Sequence, residues 1–248
     1  MTSRERVILA LNHEEADRIP LDLGGTPTSG MHVTTVYLLR QALKLGPPGA
    51  PVKVIEPYQM LGEIKPDLME ALGVDVVLLG SNKTLFGFEN EGWKSWTFFD
   101  GTPVLVPEGF NTEAEPNGDL LMYPEGDKSV APSARMPKNG FYFDAIIRQQ
   151  PIDDSKLKVK DNLEDFASIS DEELEYFGRE TERLYSETDK AILASFGGTD
   201  FGDIALLPGP SIKHPKGIRD VGEWYVSLSL RARARWAQEW RCTARPLT

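Results

Sequence analysis

The apolar run at residues 74–79, Val-Asp-Val-Val-Leu-Leu, constrains this chain more than any other stretch. Its apolar residues are nearly continuous rather than alternating, which suits a strand covered on both faces in a parallel sheet. Residues 19–23 and 191–196 read as two further core strands. Helical patterns lie between them. Thr2 and Glu5 have capping-box spacing and predict a helix to about Asn12, with Val7, Ile8 and Leu11 facing inward. Val36, Leu39 and Leu43 form a helical stripe over 32–45 that Gly46-Pro47-Pro48 stops. Leu61, Ile64, Leu68 and Leu72 predict another over 58–72, kinked or divided at Pro66. Ser170 and Glu173 open a helix burying Leu174, Phe177 and Leu184, and a last helix from about Ile218 carries Val221, Trp224 and Tyr225. Strands followed by helices predict an α/β fold with parallel strands and right-handed crossovers. This pattern leaves closed barrel and open sheet both open.

Residues 93–143 depart from it. Asp100-Gly101 between apolar runs is a hairpin signal, and Asn117-Gly118 and Asn139-Gly140 are further turn dipeptides, so the segment reads as an antiparallel β insertion. The net charge of −11, from 27 Lys+Arg and 38 Asp+Glu, repels phosphate backbones and argues against nucleic acid as a partner. No apolar stretch approaches bilayer-spanning length and the first residues lack a signal-peptide core, so a cytoplasmic protein without a membrane partner is expected. A single cysteine, Cys242, excludes an internal disulfide and a multi-cysteine metal site.

The charge is unevenly spread. Residues 231–248 hold five arginines against one acid, Glu239, together with Cys242. Such a tail reads either as a basic helix or, as its Ala, Arg, Trp, Cys and Pro content favours, as a change of reading frame near Leu228 in GC-rich DNA. The expected organisation is therefore a folded part over 1–228 and an atypical tail over 229–248.

Several segments resemble the uroporphyrinogen-decarboxylase family. They are Thr2-Ser3-Arg4-Glu5-Arg6-Val7 with Ala10-Leu11-Asn12-His13-Glu14-Glu15, then Asp17-Arg18-Ile19-Pro20-Leu21-Asp22, and Leu72-Gly73-Val74-Asp75 with its strand. Phe201-Gly202-Asp203, Pro208-Gly209-Pro210 and Lys213-His214-Pro215-Lys216-Gly217 resemble a methyltransferase-like branch of it. The resemblance implies a (β/α)8 barrel, here the N-terminal part, incomplete and carrying the β insertion. It also implies one of two activities. Decarboxylases of tetrapyrrole biosynthesis hold substrate carboxylates with an arginine loop after the first strand and use an aspartate after the second. Here that loop is Leu21-Asp22-Leu23-Gly24-Gly25-Thr26-Pro27, and Asn82 stands at the aspartate position. An amide stabilises a cationic intermediate poorly. The resemblance thus favours a methyltransferase moving a methyl group between a corrinoid, on a partner corrinoid protein, and a small acceptor. The zinc motif of that branch, His-x-Cys, has no match in this sequence. An inactive truncated fragment is the third expectation, and a homo-oligomer is left open.

Barrel active sites sit at the C-terminal ends of strands, which selects Asp22, Gly24 and Gly25, then Ser81 and Asn82, then Gly198, Thr199 and Asp200. Asp200 beside Gly197-Gly198, where glycine permits close backbone approach, is the first catalytic candidate. His214 is the second, as acid, base or ligand, with Lys213 beside it in a loop bounded by prolines. Each has a plainer reading. Asp22 could cap loop amides, Asn82 could serve as a turn former, and His214 could be an exposed loop histidine. His13 and His32 read as surface residues.

Overall fold

The computed structural model describes residues 1–153, 155–164, 169–195 and 204–227. Five helices and ten strands succeed one another among them: α1 (Ser3–Leu11), α2 (Val33–Ala42), β1 (Val52–Glu56), β2 (Leu61–Gly62), α3 (Pro66–Leu72), β3 (Val76–Leu79), β4 (Lys94–Thr97), β5 (Pro103–Val106), β6 (Glu113–Ala114), β7 (Leu120–Met122), β8 (Ala134–Met136), β9 (Asp144–Ala145), α4 (Asp171–Glu187), β10 (Ala191–Ala194) and α5 (Val221–Val226). The fold is mixed α/β. Its strands lie in a sheet ordered β2-β1-β5-β4, a parallel pair β10-β3 and a sheet ordered β6-β7-β8-β9. None of these sheets closes into a barrel among the described residues, and no helix there is long and apolar enough to cross a membrane.

Local chemistry explains most helix starts. The Thr2 hydroxyl accepts from the Glu5 N–H, and the Glu5 carboxylate accepts from the Thr2 N–H, which satisfies two donors at the start of α1. Ser170 and Glu173 do the same for α4. The helix predicted over 58–72 is a correction. Residues 58–60 turn and 61–62 form β2, so only its second half is helical. Pro66 stands at the first position of α3, where a missing N–H costs nothing.

The parallel pair is in register from Val76↔Ala191 to Leu79↔Ala194. Phe177 and Leu184 of α4 cover Val77 and Leu79, whereas Leu174 is half-exposed, against expectation. Residues 19–23 form no strand. Leu21 nevertheless extends the ladder, because its carbonyl accepts from the Asp75 N–H at 2.8 Å, and Ile19 is left solvent-exposed.

The inward face of α1 is also opposite to expectation: Ser3 and Arg6 are buried, while Ile8 and Leu11 face solvent. Arg6 is drawn inward by charge. Its guanidinium grips Asp17 at 2.6 and 2.8 Å and donates to Asp75, whose carboxylate is fully buried. Arg18 donates twice more to Asp75, at 2.6 and 2.9 Å, and the Leu21 N–H adds a further bond at 2.8 Å. Arg6, Asp17, Arg18 and Asp75 thereby bind the first helix, the loop after it and the entry to β3 into one ion network.

The larger core lies elsewhere. Val33 and Val36 of α2 pack on Val52 and Val54 of β1, and Phe86, Phe98, Val104, Met122 and Phe143 extend this core through the β-rich half. Strand β1 has no counterpart among the predicted elements. It pairs parallel with β5, Val52 against Val104, so the β-rich segment is joined to the chain before it by a ladder. The turn dipeptides fall where expected. Gly101 takes φ +87° between β4 and β5, Gly118 φ +92° between β6 and β7, and Asn139 φ +61° between β8 and β9.

Candidate functional site

The sequence-derived candidates divide into two groups and a remainder. After the network segment, the Asp22 carboxylate accepts from the Gly25 N–H at 2.8 Å, so it caps its own loop. Gly24 has φ +83°, and a side chain at Gly25 would run into Asp22 and Val76. These glycines let the loop close on β3, which is a packing role. Beyond β3, the Ser81 hydroxyl accepts from the Lys83 N–H at 3.1 Å, and the Asn82 amide donates to Glu89 at 2.6 Å. Asn82 thus braces the turn over 82–90, which also contains Gly87.

That turn meets the Lys213 loop. A side chain on Gly87 would lie 3.1 Å from Ser211 and 3.4 Å from Glu125. Lys213 pairs with Glu125 at 2.7 Å and Asp127 at 3.1 Å. The hydrogen bonds to Glu125 and Asp127 raise the Lys213 pKa above its ordinary value. The Asp127 carboxyl falls to about 2, first through the Ser129 hydroxyl and N–H and then through Lys213. His214 beside it is exposed. Gly198, Thr199 and Asp200 lie outside the described residues.

A second site has no counterpart among those candidates. A cleft of about 570 Å³ is lined by residues that include His32, Thr34, Tyr58, Phe141, Tyr142 and Asp144. His32, half-buried at the surface, builds one wall. It occupies the N-cap of α2, where its Nδ1 accepts from the Thr34 N–H at 3.2 Å. The ring hydrogen is therefore on Nε2, which donates to the Phe141 carbonyl at 2.9 Å. Its ring meets Phe98 and Phe141 edge-on, with centroids 5.2 and 5.4 Å apart. Opposite, the Tyr58 carbonyl accepts from the Phe143 N–H at 2.8 Å and the Tyr58 hydroxyl accepts from the Ala145 N–H at 3.1 Å. Burial raises the Tyr58 pKa, so its hydroxyl stays protonated with a hydrogen to offer. Glu56 sits just before this wall and shapes its turn by accepting from the Tyr58 and Gln59 N–H groups. The triplet Phe141-Tyr142-Phe143 after the Asn139-Gly140 turn was the sequence signal for this cleft. Its partner His32 is 109 residues away, which hid it.

Burial lowers the His32 pKa below its ordinary 6.5, with the Phe141 carbonyl and Asp100 opposing the shift. The fold therefore favours neutral His32. This contribution is present in full above about pH 6.5 and is lost as pH falls through the lower folded value. His32→Asn keeps a capping oxygen for the Thr34 N–H but cannot titrate. The expected result is that the melting temperature drops less in His32→Asn than in the native chain between about pH 7.5 and about pH 5. Equal drops would remove His32 as the origin.

No family model, curated protein or solved structure matches this chain.

Proposed function

We propose that this chain is a uroporphyrinogen-decarboxylase-family protein that transfers a methyl group between a corrinoid and a small acceptor, on a (β/α)8-type scaffold. The observation that supports the reading is the ion network. The two segments that resemble the family's opening contribute Arg6 and Asp17 with Arg18, the segment that resembles its second barrel strand contributes Asp75, and these four side chains satisfy one another. Arg18 and Arg6 reach Asp75 across 57 and 69 positions, so stretches of the resemblance that lie far apart in the chain meet in one network. They hold the scaffold.

The reaction itself is carried by the segments at the ends of the strands. Asp200 and His214 remain the catalytic candidates, with Gly198, Thr199 and Lys213 as their neighbours. Asn82 is engaged with Glu89 and Asp22 with the Gly25 N–H, and the loop 21–27 carries no arginine, which favours methyl transfer over porphyrinogen decarboxylation. Among the described residues no three His, Cys, Asp or Glu side chains gather to hold a metal ion, so zinc finds no donor set there.

The test is an absorbance assay of methylcob(III)alamin demethylation with a small thiol acceptor. Enzyme-dependent loss of the methyl–cobalt spectrum is expected, and Asp200→Asn should slow it by about a hundredfold or more, the range of a lost acid–base group. Decarboxylation of uroporphyrinogen in place of demethylation would sink the methyltransferase reading.

A further inference from the structure

The cleft between α2 and the aromatic loop at 141–143 shares no residue with the groups assigned to methyl transfer. Its lining residues include no lysine or arginine, and Asp144 is its only ionised side chain while His32 is neutral. The chain around it carries −11. Such a cleft disfavours anions and draws cations.

Its apolar content is mostly aromatic, with Leu61 beside the rings, and partly exposed. Phe141 and Tyr142, at the lip, are 49% and 56% exposed, so both aromatic residues keep surface in water. The Phe141 ring is nonetheless fixed. It stands 5.0 Å from Phe99, 6.0 Å from Phe98 and 5.4 Å from His32, whose Nε2–H holds the Phe141 carbonyl. Behind the lip, Phe143 is fully buried and Tyr58 is held at both its carbonyl and its hydroxyl. A ring held in place as Phe141 is loses little ordering entropy when a flat ligand stacks against it. The Tyr58 hydroxyl has no acceptor among the described residues and supplies a hydrogen-bond donor, and Asp144 supplies the acceptor. A cavity of about 570 Å³ is of the size that holds a small organic molecule.

We propose that this cleft binds a flat, singly cationic heteroaromatic molecule, stacked on the Phe141–Tyr142 lip with its charged N–H edge on the Asp144 carboxylate. Stacking supplies affinity and the carboxylate selects the sign of charge. The proposal is independent of the methyl-transfer reading, since it uses none of that site's residues.

The probe is proflavine, a flat aminoacridine cation, titrated into the full chain and followed by fluorescence anisotropy, with 8-anilinonaphthalene-1-sulfonate as the anionic counterpart. One saturable site is expected for proflavine and binding at least about tenfold weaker for the anion. Tyr142→Ala should weaken proflavine by about tenfold, the scale of one lost stacking partner, whereas Tyr142→Phe stays within about twofold because the ring remains. Asp144→Asn should weaken it by about fivefold and flatten its dependence on salt. Both side chains are exposed, and thermal melts of each variant separate loss of binding from loss of fold. Absence of saturable proflavine binding overturns the proposal. So does equal affinity for the anion, or unchanged proflavine affinity in a folded Tyr142→Ala or Asp144→Asn variant.

Discussion

Replacing Asp75 by asparagine is expected to cost about 3–5 kcal/mol of folding stability, the range for removing one partner of a buried ion pair. The carboxylate is fully buried and accepts from Arg6, twice from Arg18 and from the Leu21 N–H. Arg6 itself is buried and keeps Asp17 as its one charged partner, with a long bond to the Met1 carbonyl, once the charge at 75 is gone. An amide retains an acceptor for the Leu21 N–H but turns its nitrogen toward guanidinium donors, so part of the loss is an unpaired buried donor pair. Burial pushes the Asp75 carboxyl up, yet the bonds from Arg18, Leu21, Ser3 and Arg6 outweigh it and hold it at about 2. The stabilisation is therefore complete above the ordinary 3.8 and lost as pH falls through about 2. Urea unfolding should show the variant less stable at neutral pH and the gap closing under acid. A neutral-pH loss under about 1 kcal/mol would mean that the network does not hold the scaffold. Arg18→Met should cost less, because the Arg18 side chain is 43% exposed and solvent replaces part of what it gives.

The same network marks where sequence reading succeeds and fails. Features decided within a few residues were legible: the capping boxes at Thr2 and Ser170, the turns at Gly101, Gly118 and Asn139, and the strand built on 76–79. Features decided by a distant partner were not. Arg6 occupies the buried face of α1, where the helical pattern assigns Val7, Ile8 and Leu11, because Asp75 lies 69 positions away. Strand β1 is hidden between Pro51 and Pro57, and its parallel neighbour β5 is supplied about fifty residues on. Helical periodicity from Leu61 to Leu72 is genuine in its second half only, since Pro66 begins a helix as readily as it bends one. Among site residues, Asp22 and Asn82 are accounted for by contacts three and seven residues away, the scale on which a loop cap and a turn former act. The His32 cleft needed the chain to return from residue 141, so its one local sign, the aromatic triplet at 141–143, did not disclose the partner wall.

Phe86→Ala is expected to lower stability by about 3–5 kcal/mol, the usual cost of emptying a phenylalanine site in a core. Phe86 is fully buried at the centre of an aromatic cluster, 5.9 Å from Tyr58, 6.1 Å from Phe88 and 5.9 Å from Phe143. Its position gives the residue more than local weight. It sits in the turn that Thr84 closes onto the Phe88 carbonyl, and its own carbonyl accepts from the Glu125 N–H at 2.7 Å. One side chain thus ties the exit from β3 to the turn after β1 and to the start of β9. Truncation leaves a void that aromatic neighbours, held by backbone hydrogen bonds, cannot fill by small shifts. Phe86→Leu keeps most of the volume and should cost less than half as much. The cavity also borders the Tyr58–Phe143 wall, so hydrogen exchange at the Phe143 and Ala145 amides, both bonded to Tyr58, should accelerate more than exchange in α1. Uniform acceleration across the chain would show instead that Phe86 acts only through global stability, and a loss no larger than that of Phe86→Leu would show that the site collapses onto the void.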